Sequence, residues 1–345
     1  MAYSINAKDY FNTKLYSGTG SSNAITGVGF QPDLTWIKAR SHTYAHCLID
    51  AVRAVGTTIA SNSSSAAYSS ATEITSFNTD GFTLGTDNGV NNGSHTFASW
   101  NWKAGTTGSG TTTGSGTGKA YSYSVNTTSG FSIVKYLGNG TAGHTIPHHL
   151  GAVPQCVIYK RLDGAADWLV YHISVGNDKE IALNTTAAAS TSAVFNNTTP
   201  TSTVNAVQTN SGNNTNDSNY IMYSFVEKTG FSKFGQYSGN GNDDGPFIYT
   251  GFKPAMIILK RKDSADGWFM YDTKRSPINV MDDYLLANDS AAQVSTSAVN
   301  IDFVSNGFKL RNDDGGHNNS SGTYIYMAFA EAPLVGSNNI PATAR

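Results

Sequence analysis

The chain has 345 residues, 39% of them hydrophobic and 11% aromatic, with 22 Lys and Arg against 24 Asp and Glu. Charged residues are 13%, about half the usual share, and the net charge of −2 excludes a nucleic-acid binder held by many phosphate contacts and a polybasic membrane-surface protein. The apolar content is enough for a buried core, which excludes a disordered chain; uncharged polar residues, 35 Gly and many aromatics point to an all-β outer-surface protein rather than to a metabolic enzyme, and two Cys exclude a disulfide framework.

Residues 1–6 carry neither a basic start nor an apolar run, so no secretory signal is expected there. No stretch approaches the ~18 apolar residues of a membrane helix. The triplets of the type Asn62-Ser63-Ser64 follow from the composition and are expected to stay unmodified. Cys47 and Cys156 read as buried free thiols.

Along the chain, short runs rich in Val, Ile, Tyr, Phe and Thr alternate with Gly and Asn clusters, the pattern of antiparallel strands. Three sequence blocks recur in one order. The first reads Tyr16-Ser17-Gly18-Thr19-Gly20, Tyr136-Leu137-Gly138-Asn139-Gly140 and Tyr237-Ser238-Gly239-Asn240-Gly241. The second is a proline entry to an apolar strand: Gly29-Phe30-Gln31-Pro32 before Lys38, Gly151-Ala152-Val153-Pro154 before Lys160, and Gly251-Phe252-Lys253-Pro254 before Lys260. The third closes each unit and aligns Trp100 with Phe225 and Phe329. Turn signals at Asp80-Gly81 and Asn306-Gly307 predict hairpins. Helical periodicity is confined to residues 49–55 and 281–288, two turns at most.

Every residue from 105 to 118 is Gly, Ser or Thr. Such a segment buries no apolar surface and reads as a flexible linker. The expected organisation is therefore three tandem antiparallel β-sandwich repeats of jelly-roll or lectin-like type, each of about 100 residues. They occupy residues 1–104, 120–230 and 231–345, with a linker at 105–119 and the last two repeats packed more rigidly. The Lys-bearing strand is apolar on both sides of its pleat, so it is expected at the centre of a sheet with its charge at the rim.

The run from Ile25 through Phe30, Pro32 and Trp36 to Arg40 resembles a known family, as do Phe77-Asn78-Thr79-Asp80-Gly81-Phe82 and Trp100-Asn101-Trp102-Lys103. That family is a tandem β-domain of unknown function, laminin-G or concanavalin-like, found in tail and virion-surface proteins of marine tailed bacteriophages. The resemblance covers most of the chain and is clearest in its first third. The second repeat departs most, having Val194-Phe195-Asn196-Asn197 in place of the Asp-Gly-Phe turn. The resemblance implies a virion protein on the tail or capsid surface and transfers no catalytic or ligand residue.

Candidate chemistry is sparse. Gly118-Lys119 lacks the phosphate-loop partners, because Thr113 and Ala120 stand where Gly and Ser or Thr are needed. His144, His148 and His149 cluster around Pro147 without a completing Cys or carboxylate, and read as turn histidines. Asp87-Asn88-Gly89, residues 240–245 and residues 312–316 carry oxygen ligands suited to Ca²⁺ but not the register of a calcium loop, and are equally turn chemistry. No cofactor is expected beyond that possible Ca²⁺. Eight residues after Lys160 and Lys260 stand Trp168 and Trp268, and the same count from Lys38 reaches His46. Trp36, Trp100, Trp168, Trp268, Phe225 and Phe329 are assigned to the repeat core. Trp102 aligns with Glu227 and Glu331 on this alignment, so it is assigned to the surface with Tyr44 and Tyr121 as contacts for a glycan or partner.

The expected function is that of a non-enzymatic bacteriophage virion structural protein, a tail appendage or host-attachment subunit. Alternatives are a capsid decoration protein, a lectin-like module or a glycan depolymerase. Expected partners are other virion proteins, host surface glycans and, by analogy with phage appendages, two further copies in a homotrimer; nucleic acid and membrane insertion are not expected.

Overall fold

The computed structural model describes residues 5–333, and its regular structure is almost wholly antiparallel strands. In the first unit the strands Phe11–Ser17, Thr96–Trp102, Leu34–Ala39 and Cys47–Asp50 lie side by side in that order. The third unit repeats the order with Ser232–Ser238, Thr323–Pro333, Phe252–Arg261 and Trp268–Asp272, and continues through Asp283–Leu286 and Val294–Ser295. The second has Phe131–Leu137, Asn219–Phe225, Cys156–Arg161 and Leu169–His172, followed by Lys179–Ala182 and Ser190–Thr191. A three-stranded sheet accompanies each unit, for example Asn23–Ile25, Gly81–Leu84 and Ile74–Asn78 in the first.

The predicted hairpins at Asp80-Gly81 and Asn306-Gly307 are present, and the glycines have a reason beyond the turn. A Cβ at Gly81 or Gly307 would sit 2.0 Å from the carbonyl oxygen of Ile25 or Ile248 on the neighbouring strand. The two predicted helices are not formed. Residues 47–50 and 283–286 are strands, and the α-helices Asn88–Asn91 and Gly315–Asn318 are single turns elsewhere. At the first site the Asp50 carboxylate accepts from the N–H groups of Val52 and Arg53 at 3.1 and 2.9 Å. This local turn competes with helix for the same donors.

The central strands of each larger sheet are buried on both faces. One face meets its own small sheet: Ile37, Cys47, Ile49 and Phe97 pack with Ile25, Ile74, Phe82 and Leu84. The other faces a centre shared by all three units, where Trp36, Trp100 and Trp102 meet Ile158, Phe225, Ile258 and Phe329 in one cluster. Double burial is why these strands read as continuous apolar runs.

Strand register corrects the sequence alignment. Lys38, Lys160 and Lys260 pair with Ala98, Ile221 and Ile325. Counting along the pleat, Trp102 is the equivalent of Phe225 and Phe329, and Trp100 of Tyr223 and Met327. The sequence alignment had slipped by two residues, a shift that keeps the face and so leaves the pattern unchanged.

The three units close a ring through equivalent backbone hydrogen bonds. Ala67 N donates to Leu162 O at 2.8 Å, Ala189 N to Lys262 O at 2.9 Å, and Gln293 N to Arg40 O at 2.8 Å. The side chains follow the same cycle. Trp168 Nε1 donates to Ala60 O at 3.0 Å and Trp268 Nε1 to Ala182 O at 2.9 Å. His46, which replaces the tryptophan in the first unit, reaches Leu286 O at 2.9 Å and accepts from Trp36 Nε1 at 2.8 Å. The central lysines are buried rather than at the rim. Lys160 Nζ donates to Ser64 O and Ala166 O, and Lys260 Nζ to Thr186 O and Asp266 O. Burial lowers all three lysines to about 8.

Residues 105–119 are not a free linker. Thr106–Thr111 pairs along its whole length with Ala120–Asn126, and Thr113–Gly114 pairs with His144–Pro147. Thr106–Thr111 and Ala120–Asn126 extend the second unit's larger sheet to eight strands, and Thr113–Gly114 is part of its three-stranded sheet. Asp33 anchors the start, accepting from Ala104 N at 2.9 Å and from Ser124 Oγ at 3.1 Å. Low complexity did not prevent order here because backbone pairing needs no apolar side chain. The seam between the first two units carries the same backbone hydrogen bond as the seam between the last two.

Candidate functional site: an aromatic platform on the inserted strands

Repeated residues serve the repeated frame, so features carried by one unit alone are the places to look for function. The Tyr-x-Gly-x-Gly block belongs to the frame. Tyr16, Tyr136 and Tyr237 donate to the carbonyls of Val90, Asn213 and His317 at 2.8, 2.6 and 2.8 Å. The next residue but two donates its N–H to the side chain of Asn91, Asn214 or Asn318. A Cβ at Gly18, Gly138 or Gly239 would lie within 2.0, 2.3 and 2.2 Å of a carbonyl oxygen.

The inserted pair of strands is different. Along Ala120–Asn126, Tyr121 and Tyr123 project from one face, opposite Gly110 and Gly108 across the ladder. A Cβ at Gly108 would lie 2.6 Å from the Tyr123 hydroxyl, and one at Gly110 would lie 2.8 Å from that of Tyr121. The glycines are thus a floor over which the two phenol rings fold. His149 completes the group. Its ring stacks on Tyr123 with centroids 3.8 Å apart and planes at 17°, and its Nε2 lies 3.1 Å from the Tyr121 hydroxyl. The His149 backbone is held at φ 60°, a conformation that costs a non-glycine residue about 1–2 kcal/mol. Strain of this kind collects at functional positions.

All three residues are half-buried, and Tyr121 and Tyr123 rest on the second unit's core. Desolvation lowers the His149 pKa and raises that of Tyr121, so both are neutral near pH 7. Tyr121 and His149 thus add no charge to the group, which carries hydroxyl and imidazole hydrogen-bonding atoms beside its rings. Such a surface stacks on the apolar face of a sugar ring and hydrogen-bonds its hydroxyls.

The other sequence candidates separate clearly. Tyr44 is half-buried on the first unit's rim, its ring 4.3 Å from His42, which lies 4.4 Å from His95. Trp102 is not on the surface: it is 3% exposed and packs against Phe11 at 5.0 Å and Phe329 at 5.5 Å. It shares a face with Trp100, so once Trp100 turns to the centre Trp102 must follow. Trp36, Trp100, Trp168, Trp268, Phe225 and Phe329 are all buried.

His144 and His148 turn away from His149. His144 faces Asn139 at 2.7 Å, whereas His148 is bound by Leu150 N and Thr201 O. Among the described residues no three His, Cys, Asp or Glu side chains are grouped to hold a metal ion. Two of the acidic turns have a local role, because Asp87 and Asp314 cap the one-turn helices by accepting from Gly89 N and Gly316 N. In the third, Lys309 pairs with Asp244 at 2.7 Å.

Tyr123 and His149 were the functional candidates that sequence reasoning passed over. The signal was available: Gly108 and Gly110 alternate as Tyr121 and Tyr123 do, with period two.

No curated protein and no solved structure matches the chain. Over residues 6–333 it matches DUF7483, described as a domain of unknown function. The match takes in all three units, and the chain belongs to the DUF7483 family.

Proposed function

We propose that this protein is a non-enzymatic structural protein of a bacteriophage virion, exposed on the particle as a tail appendage or host-attachment subunit, and that it binds surface glycans. Its fold is then three sandwich units of laminin-G or concanavalin-like kind, spanning residues 1–104, 120–230 and 231–345, with residues 105–119 joined to the second. The common strand order and the cyclic seam bonds support that division. The observation that carries the binding reading is the Tyr121, Tyr123 and His149 stack, which is half-exposed and whose two tyrosines lie on a strand that only one unit has. A rigid frame with a preformed ring surface suits adhesion, since little side-chain freedom is lost on binding.

The test is binding of the full chain to host-envelope polysaccharide, compared with Tyr121→Ala/Tyr123→Ala. At about 1–3 kcal/mol for the stacked rings together, the double variant is expected to bind roughly 10-fold or more weakly. Equal binding would remove the platform. No binding by the wild type would remove the glycan reading, and labelling of intact virions with gold-conjugated antibody would then test the virion reading alone. Label over the capsid rather than the tail would favour the decoration role.

A further inference from the structure

The strand Thr106–Thr111 is the outermost strand of the eight-stranded sheet, and nothing in its sequence guards that edge. It contains no charge, no Pro and no bulge, the devices that keep edges from pairing. Edge strands Phe11–Ser17 and Ser232–Ser238 of the other two large sheets carry Lys14 and Lys233, and the far edge of the same sheet is only the two residues Ser190–Thr191.

The direction of the free backbone groups follows from the register. Thr112 N donates to Lys119 O at 2.8 Å, so that pair is hydrogen-bonded. Pairs alternate along an antiparallel ladder, so Gly110 with Tyr121 and Gly108 with Tyr123 are hydrogen-bonded as well. The N–H and C=O groups of Thr107, Ser109 and Thr111 therefore point away from the sheet, and all three residues are exposed. Residues 107–111 read Thr-Gly-Ser-Gly-Thr, the same in both directions.

We propose that this edge pairs with the same edge of a second copy, antiparallel about a twofold axis at Ser109. Ser109 then faces Ser109, and Thr107 faces Thr111 of the other copy. The three outward residues of each copy meet as hydrogen-bonded pairs, and glycine lies opposite glycine. No like charges oppose, because the strand has none. A twofold axis at Ser109 sets residue 107 against 111 and 108 against 110, so the palindrome makes every opposed pair a match of small uncharged residues, whereas an unrelated extended segment would have to supply such a match from its own sequence. The two sheets become one, and the two aromatic platforms come side by side on it.

The test uses the full chain. Sedimentation over a range of micromolar concentrations is expected to give a dimer, and Ser109→Lys a monomer with an unchanged far-UV spectrum. Both native thiols are buried, so Ser109→Cys places the sole exposed thiol at the axis. Directly paired residues lie about 5.5 Å apart at Cα, within disulfide reach, whereas two Thr111→Cys positions would be roughly 14 Å apart. Ser109→Cys is expected to cross-link at least 10-fold faster than Thr111→Cys under mild oxidation. A monomer at every concentration, a trimer, a dimer that survives Ser109→Lys, or equal cross-linking of the two cysteine variants would each overturn the proposal.

Discussion

Trp100 and Trp102 stand two residues apart on one face of one strand, yet their indole N–H groups differ. Trp100 Nε1 donates to Asp272 Oδ2 at 3.2 Å across the seam between the first and third units. Asp272 is itself fully buried and paired with Arg275. Trp102 Nε1 is buried without a partner. Replacing either by Phe removes similar ring volume, a packing loss of about 1–2 kcal/mol. Trp100→Phe also deprives a buried carboxylate of a donor, about 1.5–3 kcal/mol more. Trp102→Phe instead removes an unsatisfied N–H, which recovers about 1–3 kcal/mol. The expected costs are therefore about 3 kcal/mol for Trp100→Phe and close to zero for Trp102→Phe. Trp102→Ala should cost about 3–5 kcal/mol, the range for emptying a buried aromatic site. Urea titration followed by far-UV circular dichroism measures all three. Equal costs for the two Phe variants would refute the hydrogen-bond argument, and a Trp102→Ala cost under about 0.5 kcal/mol would mean that the side chain is exposed after all.

Three further outcomes are expected. Glu73 is buried, accepts from Thr58 and Tyr68, and has its pKa raised above 4.5, chiefly by desolvation. The folded state thus holds this proton more tightly than the unfolded chain, so its contribution is full below pH 4.5 and is lost as pH rises through the folded pKa. Glu73→Gln should gain stability relative to wild type across that rise, and parallel stability–pH curves for the two would contradict it. Gly138→Ala places a Cβ 2.3 Å from the Thr215 backbone oxygen, where no rotamer gives relief. Its melting temperature should fall by several degrees, a cost of about 2 kcal/mol or more, and an unchanged melt would count against the close approach. Limited proteolysis should spare residues 105–118, because they are paired on one side throughout 106–111. Early cleavage there, yielding fragments of the first unit and of the other two, would restore the linker reading.

Much of the fold was legible from local pattern. Strand after strand declared itself through apolar runs and Gly or Asn turns, and the Tyr-x-Gly-x-Gly and proline-entry blocks marked equivalent places in three units. Legibility failed where two arrangements share one pattern. A slip of two residues along Thr96–Trp102 leaves every side chain on its own face, so the alignment that exposed Trp102 looked as good as the one that buries it. The buried lysines looked like rim residues because the carbonyls that solvate Lys160 and Lys260 include Ser64 O and Thr186 O of a neighbouring unit, far away in the chain.

The sequence by itself determined the all-β class, the threefold recurrence, the hairpins and most of the large aromatic residues of the core, because each of these depends on period, turn chemistry and composition within a few residues. Only the tertiary structure decided that the units close into a ring, that the Gly-Ser-Thr run is an edge strand, and that Tyr121, Tyr123 and His149 share one surface. Each of those depends on contacts between residues far apart in the chain, such as Gln293 with Arg40, which no local pattern encodes.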